Sequence, residues 1–228
     1  MNSETAQEKT IKNLFFLILA LVPLTTQSQT ARKMPKVAKI GYVYESYSGA
    51  TNKSLSEGQP GQGLEISIDD GGENFRYFAS ARILYSSGTQ NFLDGTTAVR
   101  SNYELFEMSP EVGFNIYPVA RKMSGLNIYL WGVGIVSYSQ LQLSPLSTTA
   151  ANGTTTTVTS YSVLRRKDQG YAYGFGAGVG VEVFFGNKNK SGKRMIYANV
   201  GFREQTANLA QISDFQLNSL AFSMGIGF

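Results

Sequence analysis

The chain has 228 residues, a formal net charge of +4, and neither cysteine nor histidine. That length suits one domain, absent cysteine excludes disulfides, thiol chemistry and a lipid-modified N-terminal Cys, and absent histidine removes the commonest general base and metal ligand. Charged residues are only 16% against 24 glycines and 12% aromatics, which suits a lipid-facing β protein, and the small, scattered basic excess leaves no nucleic-acid footprint.

Lys9 and Lys12 precede the apolar run Leu14 to Leu24, and a polar stretch ends at Ala31. A basic start, a short apolar core and small residues near a cut form a secretory signal. Residues 1–31 are therefore expected to be a signal peptide and 32–228 the folded domain. Glu4 and Glu8 dilute the basic start and Gln29 suits cleavage poorly, so the cut falls within Thr26 to Arg32. The alternative, an uncleaved anchor helix, needs a longer apolar core to span a bilayer. No later run is long and apolar enough for a membrane helix, so a membrane span must be made of strands.

Side chains alternate between the two faces of a strand. Strand one is predicted over Val37 to Tyr47, with Ala38, Ile40, Tyr42 and Tyr44 on one face and Lys39, Gly41, Val43 and Glu45 on the other. Strand two runs from Gln62 to Asp69, with Leu64, Ile66 and Ile68 against Glu65, Ser67 and Asp69, and Gly71-Gly72 suits a tight hairpin. Strand three, Asn74 to Tyr85, sets Phe75, Tyr77, Ile83 and Tyr85 outward and Arg76, Phe78, Ser80, Arg82 and Leu84 inward. Strand four, Tyr103 to Tyr117, sets Phe106, Met108, Val112, Phe114 and Ile116 outward, with a bulge or bend expected at Pro110. Strand five, Leu126 to Tyr138, is assigned Tyr129, Trp131, Val133 and Ile135 outward and Gly132 and Gly134 inward.

Strand six, Tyr171 to Phe185, carries the clearest pattern. Its odd positions are all apolar or aromatic, and its even positions are mostly glycine with Glu182. Glycine weakens a strand unless something must come close, and a narrow lumen supplies that need. Strand seven, Met195 to Arg203, and strand eight, Phe215 to Phe228, repeat the apolar-outward alternation. The predicted fold is therefore all-β, an eight-stranded antiparallel up-and-down transmembrane β-barrel. Short links at Asp70 to Glu73, Pro118 to Gly125 and Gly186 to Lys193 alternate with longer polar ones, as periplasmic turns alternate with external loops. Tyr44, Tyr85, Tyr138, Tyr171, Tyr173 and Phe202 form the expected outer aromatic belt. Phe75, Tyr77, Phe114, Tyr129, Trp131, Phe185 and Phe228 form the inner one. A soluble barrel with ordinary aromatic enrichment is the competing reading.

These features resemble the small eight-stranded bacterial outer-membrane barrels of the OmpA transmembrane-domain and OmpX type, over Val37 to Phe228. The resemblance is one of architecture. It implies a bacterial outer-membrane location, with Phe228 ending the last strand as the signal read by the outer-membrane assembly machinery. No periplasmic domain follows Phe228, so a peptidoglycan-anchoring role is not expected.

The expected lumen charge network comprises Lys39, Glu45, Glu65, Arg76, Arg82, Glu107, Glu111, Glu182 and Arg203. Such charges are costly unless paired. With an Asp94-Gly95 turn, Arg82 faces Glu107; with a Gly71-Gly72 turn, Glu65 and Glu111 flank Arg76. The loop Ser139 to Gly170 is expected to rise as a hairpin around Asn152-Gly153, with Leu141, Leu143, Tyr161 and Val163 outward, and to offer an edge to an extracellular partner. Strict pairing there conflicts in parity between strands five and six, which requires a bulge or a misassigned strand five. Arg165, Arg166 and Lys167 suit lipopolysaccharide phosphates.

The functional expectation is a non-enzymatic outer-membrane barrel with a structural or adhesive role and a plugged lumen. A narrow gated ion or small-solute channel is the alternative, and a lipid-modifying enzyme is less favoured. Barrel enzymes such as lipid A deacylase use His, which this chain lacks. No metal or cofactor is expected.

Overall fold

The computed structural model describes residues 34–48, 60–94, 97–149, 153–157, 166–185, 194–210 and 214–228. The expected signal segment, Tyr161, Val163 and Arg165 lie outside them, as do the side chains of Arg166 and Lys167. The strands are β1 (Met34–Tyr47), β2 (Pro60–Gly71), β3 (Phe75–Asp94), β4 (Thr97–Ile116), β5 (Gly125–Thr149), β6 (Thr155–Thr157), β7 (Arg166–Phe185), β8 (Arg194–Leu209), β9 (Phe215–Gln216) and β10 (Ser219–Gly227). Setting aside the short β6 and β9, each strand pairs antiparallel with the next, and β10 returns to β1 from Lys39↔Gly227 to Tyr47↔Ser219. The sheet is thus a closed eight-stranded antiparallel barrel, and closure leaves its wall no free edge.

Two registers differ from those expected. β3 and β4 pair from Phe75↔Ile116 to Asp94↔Thr97, which displaces every facing partner by two from the expected register. Arg82 therefore faces Ser109 rather than Glu107. Between β2 and β3, Gly72 N–H donates to Phe75 O at 2.9 Å, which centres the reversal on Glu73-Asn74 and brings Glu65 opposite Arg82. Gly71 has φ +139°, a conformation a side chain resists.

Pro110 makes no bulge. β3 pairs through it at Ala81↔Pro110, and β5 keeps one register on either side, Met108↔Tyr138 and Glu111↔Ile135. What is missing is the pairing of Ser109 and Pro110 with β5, because proline has no N–H to donate. The ladder shifts instead between Arg100 and Ser101.

β5 is turned over relative to the expectation. Leu126, Ile128, Leu130 and Val136 are exposed, while Tyr129, Val133 and Ile135 are buried and Trp131 lines the lumen. Tyr129 and Trp131 therefore leave the inner aromatic belt. This removes the parity conflict, since odd residues of β5 now face even residues of β7, as in Leu126↔Val183 and Asn127↔Glu182.

Towards the outer end the two faces of the wall exchange character. Below that level Ile83, Tyr85, Phe106, Val136, Tyr171 and Tyr173 point outward and are exposed. Above it the inward positions become apolar: Tyr103, Leu105, Leu141, Leu143, Ala172, Ala207 and Leu209 pack with Tyr47, Phe215 and Leu217. Leu141 and Leu143 are thus buried rather than outward. The outward positions there turn polar, with Thr89 Oγ1 donating to Asn102 Oδ1 (2.7 Å), Gln142 to Glu104 (3.3 Å) and Tyr138 to Gln169 (3.0 Å). The sheet continues as a stalk, with β6 pairing Thr155–Thr157 against Thr149–Ser147.

Candidate functional site: the charged lumen

The inward alternation of β1, β2, β3, β4, β5, β7 and β8 delivers a charged or amide side chain to the lumen, and the glycines of β7 and β8 give room for large rings. A side-chain carbon added at Gly178 or Gly201 would run into Trp131, and one at Gly180 into Tyr129. Glycine in these strands is required by the rings lying on it.

The inner layer is organised on Asp69. Arg76 donates to its Oδ1 through Nε (3.0 Å) and Nη2 (2.7 Å), and Arg76 Nη2 also reaches Pro35 O (2.7 Å). Lys39 Nζ lies 3.0 Å from Asp69 Oδ2 and 4.0 Å from Glu182 Oε2. Arg121 enters from the turn between β4 and β5 and grips Glu182 with two donors, Nε to Oε1 and Nη2 to Oε2, the latter at 2.9 Å. Its guanidinium is 5.4 Å from the Tyr117 ring centre and 5.0 Å from that of Phe184, within cation–π range. Burial pushes the Tyr117 phenol well up, and the Glu182 charge adds to it.

The middle layer holds two arginines and three glutamates. Arg82 pairs with Glu45 and, through Nη2, with Glu65 at 3.0 Å; Glu111 lies 3.9 Å from its Nε. Arg203 pairs with Glu111 and, through Nε, with Glu45 at 3.2 Å. Ser219 Oγ donates to Glu45 Oε2 (2.7 Å) and Ser80 Oγ to Glu111 Oε2 (3.4 Å). Glu107 is buried above this layer, accepting from Ser109 Oγ (2.8 Å) and Gln205 Nε2 (3.1 Å).

All nine residues of the expected network point into the lumen, but their partners differ. The Arg82–Glu107 pair and the Arg76–Glu65–Glu111 cluster do not form, because the β2–β3 hairpin turns two residues later than expected and the β3–β4 hairpin one residue later, and every facing pair moves with them. Sequence reasoning missed Arg121 and the central role of Asp69. Asp69 carried a signal, being inward on strand two beside Glu65. Arg121 carried none, since a turn has no alternation to read.

Both ends of the charged region are apolar. Val37, Phe184, Met195 and Tyr197, with Met123 against them, cover the inner end, and the cluster around Leu141 and Leu217 covers the outer. Between them Lys39, Glu65, Arg82, Tyr129, Trp131 and Arg203 line a cavity of about 40 Å³, room for a few waters at most.

The chain is a closed barrel with a filled lumen. No protein-family model matches it, and no curated protein matches it. Solved structures similar to it include Neisserial surface protein A, at 10% identity and a TM-score of 0.43 over 86% of this chain and 97% of that one. The attachment invasion locus protein Ail of Yersinia pestis, in complex with the heparin analogue sucrose octasulfate, is 12% identical with a TM-score of 0.43, over 86% of this chain and 100% of that one. The N-terminal β-barrel domain of Pseudomonas aeruginosa OprF is 13% identical with a TM-score of 0.36, over 86% and 98%.

Phe228 is exposed at the end of β10, and its backbone exchanges two hydrogen bonds with Ala38, at 2.9 and 3.0 Å. Arg166 begins β7 opposite Leu143, at the outer end of the wall.

Proposed function

We propose that this chain is a non-enzymatic barrel of the bacterial outer membrane, sealed through its lumen, that holds a rigid polar stalk above the bilayer for surface contacts. The observation that carries this reading is the exchange of faces part-way along the strands. A side chain of one parity meets hydrocarbon below that level and water above it, and the outer tyrosines lie where it changes, as at a membrane interface. A soluble barrel has no reason to reverse its pattern at one height.

The structural or adhesive role follows from where the stalk lies. Its own apolar core fixes it, and β5 and β6 carry the described part of the 139–170 region beyond the outer tyrosines, as a surface for an extracellular partner. The backbone of Arg166 and Lys167 starts β7 beyond the outer tyrosines, opposite Leu143 and Gln142, and the basic run they form with Arg165 in the sequence suits lipopolysaccharide phosphates. An acid–base role for the buried carboxylates is disfavoured, since most are tied to arginine or lysine and lie behind apolar layers. The test is gel migration of outer-membrane fractions with and without boiling. A heat-dependent shift is expected; a chain that fractionates as soluble and migrates alike in both lanes sinks the proposal.

A further inference from the structure

Charge inside a sealed lumen has to balance, because an unpaired buried ion is costly. The described lumen holds five cations, Lys39, Arg76, Arg82, Arg121 and Arg203. Against them in the charged layers stand six carboxylates, Glu45, Glu65, Asp69, Glu107, Glu111 and Glu182, while Asp70 pairs with Lys36 at the inner rim and Asp168 is buried further out. Five of the six carboxylates lie in ion pairs of 3.2 Å or less with these cations. Among the described residues Glu107 lies in none, although it is 1% exposed. Its Oε1 takes the two neutral donors, and its Oε2 has no partner.

The surroundings of that oxygen are also incomplete. Ser139 stands directly across from Glu107 on β5, and its buried Oγ has no partner. Tyr47 on β1 packs in one cluster with Leu105 and Leu141, two residues beyond Glu107 and Ser139, and its buried hydroxyl has none either. The other charged or titratable groups around this level are Glu45 on β1, Arg82 on β3, Tyr103 on β4, Arg203 on β8 and, two residues further out on β7, Asp168. Both arginines are already engaged by Glu45, Glu65 and Glu111. Glu107 is therefore left without an opposite charge among the described residues, at a level where the buried oxygens of Ser139 and Tyr47 also have no hydrogen-bond partner.

We infer that the Glu107–Ser139–Tyr47 layer binds one additional positive charge, a proton or an unhydrated alkali cation, that completes the lumen. One unit balances the Glu107 carboxylate, and an all-oxygen lining suits a hard, small cation. A bound proton would instead let Glu107 donate from Oε2 to a neighbouring hydroxyl. The inference rests on the sealed-barrel reading above.

The test is urea unfolding in phosphatidylcholine vesicles, followed by the heat-shifted gel band, between about pH 6 and 9, where exposed carboxylates are already ionised. The runs use sodium, potassium or tetramethylammonium chloride at one ionic strength. A proton makes the folded-to-unfolded ratio fall with rising pH, by up to about tenfold per pH unit, equally in all three salts. An alkali cation makes the ratio higher in sodium or potassium than in tetramethylammonium, with little pH dependence. Glu107→Gln is expected to abolish whichever dependence is found, while Glu111→Gln destabilises but retains it. A heat-shifted wild type with neither dependence overturns the inference, as does a dependence that persists in Glu107→Gln. If that variant does not fold, the wild-type dependences decide alone, and Ser139→Ala is expected to weaken the alkali effect. A wild type without a heat-shifted band sinks the barrel reading, and this inference with it.

Discussion

Arg121 shows how much one side chain from a turn contributes. It holds Glu182 with two donors, packs on Tyr117 and Phe184, and lies 3.7 Å from Asp69 through Nη1. Removing one partner of a buried pair leaves the other charge uncompensated, which costs about 3–5 kcal/mol. Arg121→Ala is therefore expected to lower unfolding stability by that much, measured as the urea midpoint in vesicles, while Lys122→Ala, at an exposed neighbour, changes it by less than about 0.5 kcal/mol. The inward placement of the charged residues on strands was legible, because period-two alternation assigns faces without any knowledge of partners. Which arginine meets which glutamate was not. A turn placed one residue early displaces each partner by two, which leaves every face correct and every pair wrong, as Arg82 and Glu107 show.

At the scale of an element, β5 is instructive because both of its faces are apolar. Leu126, Ile128, Leu130 and Val136 lie on one parity, and Tyr129, Trp131, Val133 and Ile135 on the other. Alternation alone could not rank them, and Gly132 and Gly134 drew the lumen to the wrong side. Volume in the lumen decided the outcome: the rings of Tyr129 and Trp131 fit over glycines of β7 and β8, so the β5 glycines were left for the exterior. β7 was legible since only one of its faces was apolar. The outer stalk supplies a direct check on sidedness. Leu217 is 0% exposed in the outer cluster, whereas Leu220, three residues on, is 58% exposed on the outer face. Leu217→Ala is expected to cost about 2–5 kcal/mol, the usual loss for a buried leucine. Leu220→Ala should cost clearly less in vesicles, where lipid fills the space left. Equal losses at the two positions would contradict the assignment of faces.

For the whole molecule, eight strands enclose too little space for a pore once the lumen side chains are in place. Here the apolar clusters at both ends add a barrier to ions. In planar bilayers the purified barrel is expected to show no sustained single-channel openings at neutral pH. Regular, reproducible steps abolished by Arg82→Ala would favour the channel reading instead. The closed eight-stranded plan was legible because strand count, link lengths and outward apolar parity all agree. The height at which the faces exchange was not, since Leu141 and Leu143 were expected to continue the outward parity above the boundary. In fact Leu141 and Leu143 of β5 turn inward there with Leu105 of β4 and Leu209 of β8, a role that appears only once the ladder is extended.

The gap in the ladder at Pro110 has a mechanical consequence. A cylinder sewn shut by hydrogen bonds parts first where a stitch is absent, and the seam between β4 and β5 lacks one at mid-wall. If this wall breathes anywhere, exchange of backbone protons should begin on either side of Val136, spreading from there rather than from the β10–β1 closure.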